Sequence, residues 1–236
     1  MMNNEQKPQL TIPRVIGSLS FFNADNLEIM KGFKDNEFDL AIVDPPYGIN
    51  ADRPHSEGNG WIYRETAGWD KNAPDASYFD ELKRVSKNQI IWGANHFLDN
   101  MPFNLSSPCW LLWDKGQREF SLADGELAWT SFKTALRIFS MSRGAAMAKD
   151  KKTSGRFHPT QKPIELYDWI IKNYAEPNQK ILDTHLGSGS IAIAIEKANR
   201  LDKMNLQFVG IEIDKEYFEK ALNRIEQYCR QGTLSF

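Results

Sequence analysis

Short apolar runs alternate along this chain with longer stretches of helical spacing. Phe38-Asp39-Leu40-Ala41-Ile42-Val43 is almost continuously apolar, as a buried strand should be. Residues 18–22, 89–93, 109–113, 180–183 and 207–213 read as strands of the same kind. Residues 127–132 and 135–139 look like a pair of strands. Helical spacing occupies about 27–32, 77–85, 164–174, 190–198 and 215–231, with Pro163 at a favourable early helix position. Strands alternating with helices predict a parallel sheet with helices on its faces. No internal repeat interrupts the pattern.

Between these elements, residues 48–76 are rich in Gly, Pro and polar residues, with Trp61, Tyr63 and Trp69 interspersed. A structureless segment of that length inside a compact domain is unusual unless it is functional or disordered. It reads as a mobile loop whose aromatics either close over a ligand or pin the loop to the surface. With 236 residues, the whole chain (1–236) is read as a single domain.

Composition narrows the class. Apolar residues make up 41% and charged residues 25%, ordinary values for a globular protein. No apolar run approaches the roughly 20 residues that span a bilayer, and residues 1–9 carry no signal-peptide core. Cys109 and Cys229 are far apart and form no metal-binding spacing, so no metal is expected. A cytoplasmic protein with reduced thiols follows. The net charge of −2 is unevenly spread: between Lys133 and Lys162 eight basic residues face one acid, Asp150. Localised positive charge on an acidic body suggests contact with a polyanion, or else a solvated loop.

The strand at 38–43 ends in Asp44-Pro45-Pro46-Tyr47. Neither proline has an N–H and both fix φ, so the corner is rigid. It presents a carboxylate, carbonyl groups and an aromatic ring. That set suits a planar ring with an exocyclic amino group, whose two hydrogens need acceptors.

Residues 180–213 read as strand, glycine turn, helix, strand, the order of a nucleotide-binding unit. Gly187 and Gly189 allow a ligand close to the backbone, and Glu212 can accept two ribose hydroxyls. The same spacing fits a dinucleotide fingerprint, so a nicotinamide-dependent oxidoreductase is a rival. Asp183, ahead of the glycines, is placed to pair with a cationic amine, and the Asp44 corner has no use in hydride transfer.

Three blocks together resemble the β-class S-adenosylmethionine-dependent DNA amino-methyltransferases. They are Asp44-Pro45-Pro46-Tyr47, His158-Pro159-Thr160-Gln161-Lys162-Pro163, and Asp183 to Ser190 with Glu212. The order is permuted, with the catalytic block before the cofactor block. The resemblance implies a Rossmann-like α/β fold: a mostly parallel seven-stranded sheet ending in an antiparallel strand pair. It implies S-adenosylmethionine as cofactor, with Asp183, Gly187 and Gly189 facing the methionine part, Glu212 the ribose, and Lys162 and Pro163 the methionine tail. Asp25 matches the acid that bonds the adenine amino group; it reads equally as a helix N-cap. Where this family usually carries Pro-Phe, the chain has Thr184-His185. His185 reads as an aromatic stand-in or as a cofactor contact.

The implied activity is site-specific methylation of adenine N6 in DNA, with N4 of cytosine as the alternative; Asp at the first corner position leans towards adenine. Asp44, Pro45, Pro46 and Tyr47 form the catalytic set. The target base would flip out of the duplex and stack on Tyr47, with Trp129 or Phe132 on its other face unless both serve the core. Residues 133–157 are a short basic target-recognition segment in which Lys149, Lys151, Lys152 and Arg156 hold phosphates. Expected partners are DNA, a second copy as a homodimer, and a separate restriction nuclease in a bacterial or phage-encoded system; no membrane contact is expected.

Overall fold

The computed structural model describes residues 12–49, 70–102, 105–118, 123–153 and 161–233, without the side chains at 147, 150–153 and 232–233. The strands are β1 (Arg14–Ile16), β2 (Leu19–Asn23), β3 (Phe38–Val43), β4 (Ser86–Trp92), β5 (Trp110–Asp114), β6 (Gly125–Thr130), β7 (Arg137–Ser140), β8 (Lys180–Asp183) and β9 (Gln207–Glu212). The helices are α1 (Asn26–Lys31), α2 (Ala76–Val85), α3 (Arg143–Thr153), α4 (Ile164–Tyr174), α5 (Ser190–Leu201) and α6 (Lys215–Thr233).

One sheet runs in the order β1-β2-β9-β8-β3-β4-β6-β5-β7. Its centre, β2-β9-β8-β3-β4, is parallel throughout. Alternation along β3 explains its burial on both sides. Leu40 and Ile42 pack with Ile90, Trp92, Ile191 and Ile195 on one face. Ala41 and Val43 pack with Phe79, Leu82, Ile91 and Leu182 on the other. Helices α4, α5 and α6 thus cover the first face, while α1 and α2 cover the second.

The mostly parallel Rossmann-like architecture agrees with the sequence, and three details differ. Among the described residues nine strands stand where the resemblance implied seven; edge strand β7 falls on the run 135–139 read as a strand, and edge strand β1 was not read from the sequence. Strands β6 and β7 do not pair with each other: β5 lies between them, antiparallel to β6 and parallel to β7. The apolar Trp110-Leu111-Leu112-Trp113 run takes the inner place, and the more exposed Arg137–Ser140 is left at the edge. Pro163 is the N-cap of α4 rather than a first-turn residue; its ψ of 146° keeps it outside the helix.

The sheet order positions the site. β3 and β8 are neighbours, with Leu40 opposite Ile181 and Ala41 opposite Leu182. Parallel neighbours lie about 4.8 Å apart and point the same way. Their carboxyl ends, carrying Asp44 and Asp183, are therefore forced side by side. From β3 the chain winds to β4, and from β8 it winds the opposite way to β9. That reversal is a switch point, where open α/β sheets form their ligand crevice.

Candidate active site

The Asp44 corner is held from both sides. Asp70, 1% exposed, accepts from the N–H groups of Tyr47 at 2.6 Å and Gly48 at 3.0 Å through one oxygen. The Tyr47 hydroxyl donates to Asp44 Oδ1 at 2.8 Å. The Tyr47 ring stacks on His96, with centroids 5.1 Å apart and planes 16° from parallel. Gly93 makes room for that ring: its φ is +70°, and a Cβ there would lie 2.1 Å from Tyr47 Cε1. Gly93→Ala is therefore expected to push the ring off His96. Misplacement of a reacting corner by an ångström costs up to about 100-fold in rate. Turnover should fall by at least about tenfold while cofactor affinity, read by titration calorimetry, stays within about twofold. Unchanged turnover would make the ring's placement immaterial.

Lys162 lines the cavity. Its ammonium is buried against the corner, 2.5 Å from Asp44 Oδ2, 3.1 Å from Glu126 Oε2 and 3.1 Å from the Tyr47 hydroxyl. It also sits 5.3 Å above the Trp92 ring. Glu126 is in turn gripped by Lys115 at 2.6 Å through its other oxygen. Burial opposes charge on Asp44, Glu126 and Lys162. The Asp44 and Glu126 carboxylates nonetheless hold the Lys162 pKa above the ordinary lysine value. Against burial, Lys162 and then Lys115 pull Glu126 down to about 2. For Asp44, burial outweighs Lys162, and its pKa lies above the usual aspartate value.

The glycine turn follows β8. Gly189, at φ +72°, caps α5, and a Cβ there would meet Ile225 at 2.9 Å. Arg224, 2% exposed, fastens the turn by donating to the Ser188 carbonyl at 2.8 Å and to Ser190 Oγ at 2.9 Å. Glu212 accepts from Gly187 N–H at 2.8 Å and Asp214 N–H at 3.0 Å, one on each oxygen. An ionised carboxylate has about four lone-pair positions, so both oxygens keep acceptor capacity towards the cavity. Asp183 is buried; desolvation first, and Asp44 and Glu212 nearby, raise its pKa to about 8 although His185 N–H donates to it at 3.0 Å.

His185 packs edge-on to Tyr78 and contacts Thr184 Oγ1 and Asn26 Nδ2. Burial lowers its pKa to about 3, so it is a neutral ring. It also lines the cavity, so the aromatic and ligand-facing readings coexist. Asp25 caps α1 by accepting from Glu28 N–H at 3.1 Å, and it lines the same cavity.

One cavity of about 220 Å³ joins the two halves. Asp44, Pro46 and Lys162 stand at one end, with Leu186, Gly187, Glu212 and Asp25 at the other. Its acidic wall suits a cationic ligand. A pyrophosphate fits poorly, because the Gly187 N–H that would receive it is already bonded to Glu212. The donor set thus fits S-adenosylmethionine, whose sulfonium and ammonium are positive, and disfavours a dinucleotide.

The remaining expected residues divide. Pro163 caps α4 beside this cluster and Pro45 is buried at the corner. Trp129 is buried and donates to the Leu105 carbonyl, while Phe132 packs on Tyr174; neither faces the cavity. Lys149 pairs with Glu165 of α4 at 3.0 Å, tying α3 to α4. Lys151 and Lys152 fall on α3, their side chains outside the described set. Arg156, His158, Pro159, Thr160 and residues 50–69 of the expected loop lie outside the described residues. Glu126, Lys115 and Asp70 were missed. The available signal for Glu126 was a lone acid entering an apolar strand, Gly125-Glu126-Leu127-Ala128-Trp129, where a buried charge demands a partner.

Comparison with known proteins agrees with the fold. Residues 130–223 match the N6/N4 methyltransferase family model described as DNA methylase. The Type II methyltransferase M2.LlaDCHI of Lactococcus lactis subsp. cremoris is 23% identical over 252 residues, covering 89% of this chain and 90% of its own. The solved PvuII DNA methyltransferase (cytosine-N4-specific) superposes with a TM-score of 0.58 at 15% identity, over 93% of this chain and 95% of its own. M1.HpyAVI, solved with S-adenosylmethionine, gives 0.54 at 20% identity, over 88% of this chain and 98% of its own. Both structures share the fold. Among the described residues no helix is long and apolar enough to cross a membrane. Over residues 130–223 the chain is thus similar to the N6/N4 family of S-adenosylmethionine-dependent DNA methylases.

Proposed function

We propose that this protein methylates the N6 amino group of adenine in DNA. The observation that carries the reading is the single cavity shared by the Asp44 corner and the Gly187–Glu212 turn. Bound there, S-adenosylmethionine supplies a methyl group already activated by positive sulfur. Asp183, Gly187 and Glu212 would hold it, with Asp25 at the far wall.

The chain's own residues then act on the acceptor. An adenine amino nitrogen is a weak nucleophile because its lone pair is spread into the ring. Asp44 and the Pro45 carbonyl accept its two hydrogens, which favours a tetrahedral nitrogen with a localised pair. The rigid prolines fix both acceptors in advance, so catalysis rests on positioning and electrostatics. Tyr47 shapes the corner and borders the flipped base. The carboxylate, rather than a neutral hydroxyl, at the first corner position supports adenine as target.

N4 of cytosine is the second reading, favoured by the likeness to a cytosine-N4-specific enzyme. Incubation with labelled S-adenosylmethionine and varied DNAs, followed by nucleoside digestion and mass spectrometry, separates them. N6-methyl-2′-deoxyadenosine is the expected product; N4-methyl-2′-deoxycytidine would select the second reading.

The basic stretch 133–157 serves as a short target-recognition segment, with the residues at 48–76 as a loop over the site. Lys149, Lys151, Lys152 and Arg156 supply its phosphate contacts. Neutralised phosphates release counterions, so binding weakens steeply with salt. Lys151→Ala with Lys152→Ala should weaken all sequences alike and reduce the slope of log affinity against log salt by roughly two. A slope unchanged in filter binding would remove these lysines from the contact. A homodimer and a separate nuclease partner complete the proposal.

A further inference from the structure

Each oxygen of Asp44 already accepts one hydrogen bond in this structure. Oδ1 accepts from the Tyr47 hydroxyl at 2.8 Å, and Oδ2 accepts from Lys162 at 2.5 Å. A carboxylate meant to accept from a target amino group is therefore partly masked by its own counter-ion. If Lys162 had no other acidic partner, leaving Asp44 would strand a buried ammonium, which is strongly disfavoured.

Glu126 removes that obstacle. Its Oε2 already stands 3.1 Å from the same ammonium, and 3.5 Å from the Tyr47 hydroxyl. Its Oε1 is fixed by Lys115 at 2.6 Å, so the free end of the carboxylate is aimed at Lys162 and cannot turn away cheaply. The strand on which it sits is central: β6 pairs with both β4 and β5. Glu126 does not line the cavity, whereas Lys162 and Asp44 do. It therefore acts on the reaction through Lys162.

The geometry points to Glu126 as a positioning residue that receives the Lys162 ammonium when a target base claims Asp44. The proposal rests on the methyltransferase reading given above. The charged and titratable groups facing Lys162 are Asp44 and Tyr47 after β3, Glu126 on β6 with Lys115 after β5 behind it, and Asp183 at the end of β8; Tyr167 on α4 faces the two carboxylates Asp44 and Glu126. Asp44 and Glu126 are the carboxylates in direct contact with the ammonium. Lys162 and Lys115 balance them, so moving the Lys162 proton-bearing group between Asp44 and Glu126 leaves the cluster neutral. Only a hydrogen bond is exchanged; no proton is transferred.

Glu126→Gln keeps the side-chain shape and an acceptor for Lys115 but removes the charge that attracts Lys162. Lys162 then stays on Asp44. The expected result is a fall in kcat of about 10- to 100-fold, in the range seen when a preorganised electrostatic group is lost. The Kd for S-adenosylmethionine should stay within about threefold, since the cofactor end of the cavity is untouched. The deciding measurement is a cycle with Lys162→Gln. With no ammonium to relocate, adding Glu126→Gln to Lys162→Gln should change kcat by less than about twofold. The single Glu126→Gln variant having wild-type kcat would overturn the proposal. So would a kcat loss of the same size in both backgrounds, which would mark Glu126 as a structural support. Wild-type protein that binds the cofactor but methylates no DNA would instead sink the functional reading, and it is scored before any variant.

Discussion

Asp44→Ala is expected to abolish methyl transfer, by about 10³-fold or more in kcat, while S-adenosylmethionine binds within a few-fold of wild type. The loss exceeds that of a single preorganised donor, typically 10²–10³, because two things disappear together. The target amino group loses its charged acceptor. Lys162, formerly paired at 2.5 Å, then faces an incoming neutral base with Glu126 as its remaining contact carboxylate. Single-turnover transfer with saturating DNA, alongside a calorimetric cofactor titration, checks both halves. Wild-type transfer rates in the variant would remove Asp44 from the chemistry. A large loss of cofactor affinity would instead mean that Asp44 belongs to the donor pocket.

The second large effect is expected at Asp183. Its folded pKa of about 8 lies far above an ordinary aspartate, chiefly through burial. A raised pKa means that the folded state grips the proton. Its stabilisation is fully present below about pH 4 and is lost as pH climbs through about 8. A cationic ligand reverses the balance, because it favours the ionised form. Cofactor affinity should therefore rise between pH 6 and pH 8, with proton release on binding. Above pH 8 the amino group of the cofactor itself begins to lose charge. Asp183→Asn should lower affinity on the order of 100-fold, as truncation of one partner in a buried charge pair does, and flatten the rise. The same variant should melt at a higher temperature than wild type at pH 8.5, where wild type carries an unpaired buried carboxylate. Calorimetry in buffers of different ionisation enthalpy measures the proton count. A pH-independent wild-type affinity would contradict this account.

Much of the site was legible because its pieces are local. Asp44-Pro45-Pro46-Tyr47 is a contiguous corner at the end of an unmistakable apolar strand, and Gly187 and Gly189 need their turn for reasons internal to a few residues. The parallel centre of the sheet followed from strand-helix alternation. What escaped depended on partners brought together only by the fold. Lys162 has a long stem, and nothing beside it in sequence says that its ammonium ends on Asp44 and Glu126, 118 and 36 positions earlier. Glu126 looked like an ordinary polar start to a strand. The edge order failed similarly: residues 127–132 and 135–139 are close enough in sequence to suggest a hairpin, yet the more apolar β5 intervenes. Asp70 was hidden in a segment read as loop, although its one oxygen clamps the backbone just after the Asp44 corner.

The pairing of β3 with β8 has a bearing on how the protein comes to be active. Leu40 meets Ile181 across about 140 residues of intervening chain. Closing so long a loop is entropically slow, and such pairings tend to form after local ones. During synthesis the Asp44 corner leaves the ribosome long before the strand that must lie beside it. Until that strand arrives, an exposed edge of β3 carries the corner with no donor pocket next to it. Assembly of the crevice between β3 and β8 is thus tied to completion of the sheet.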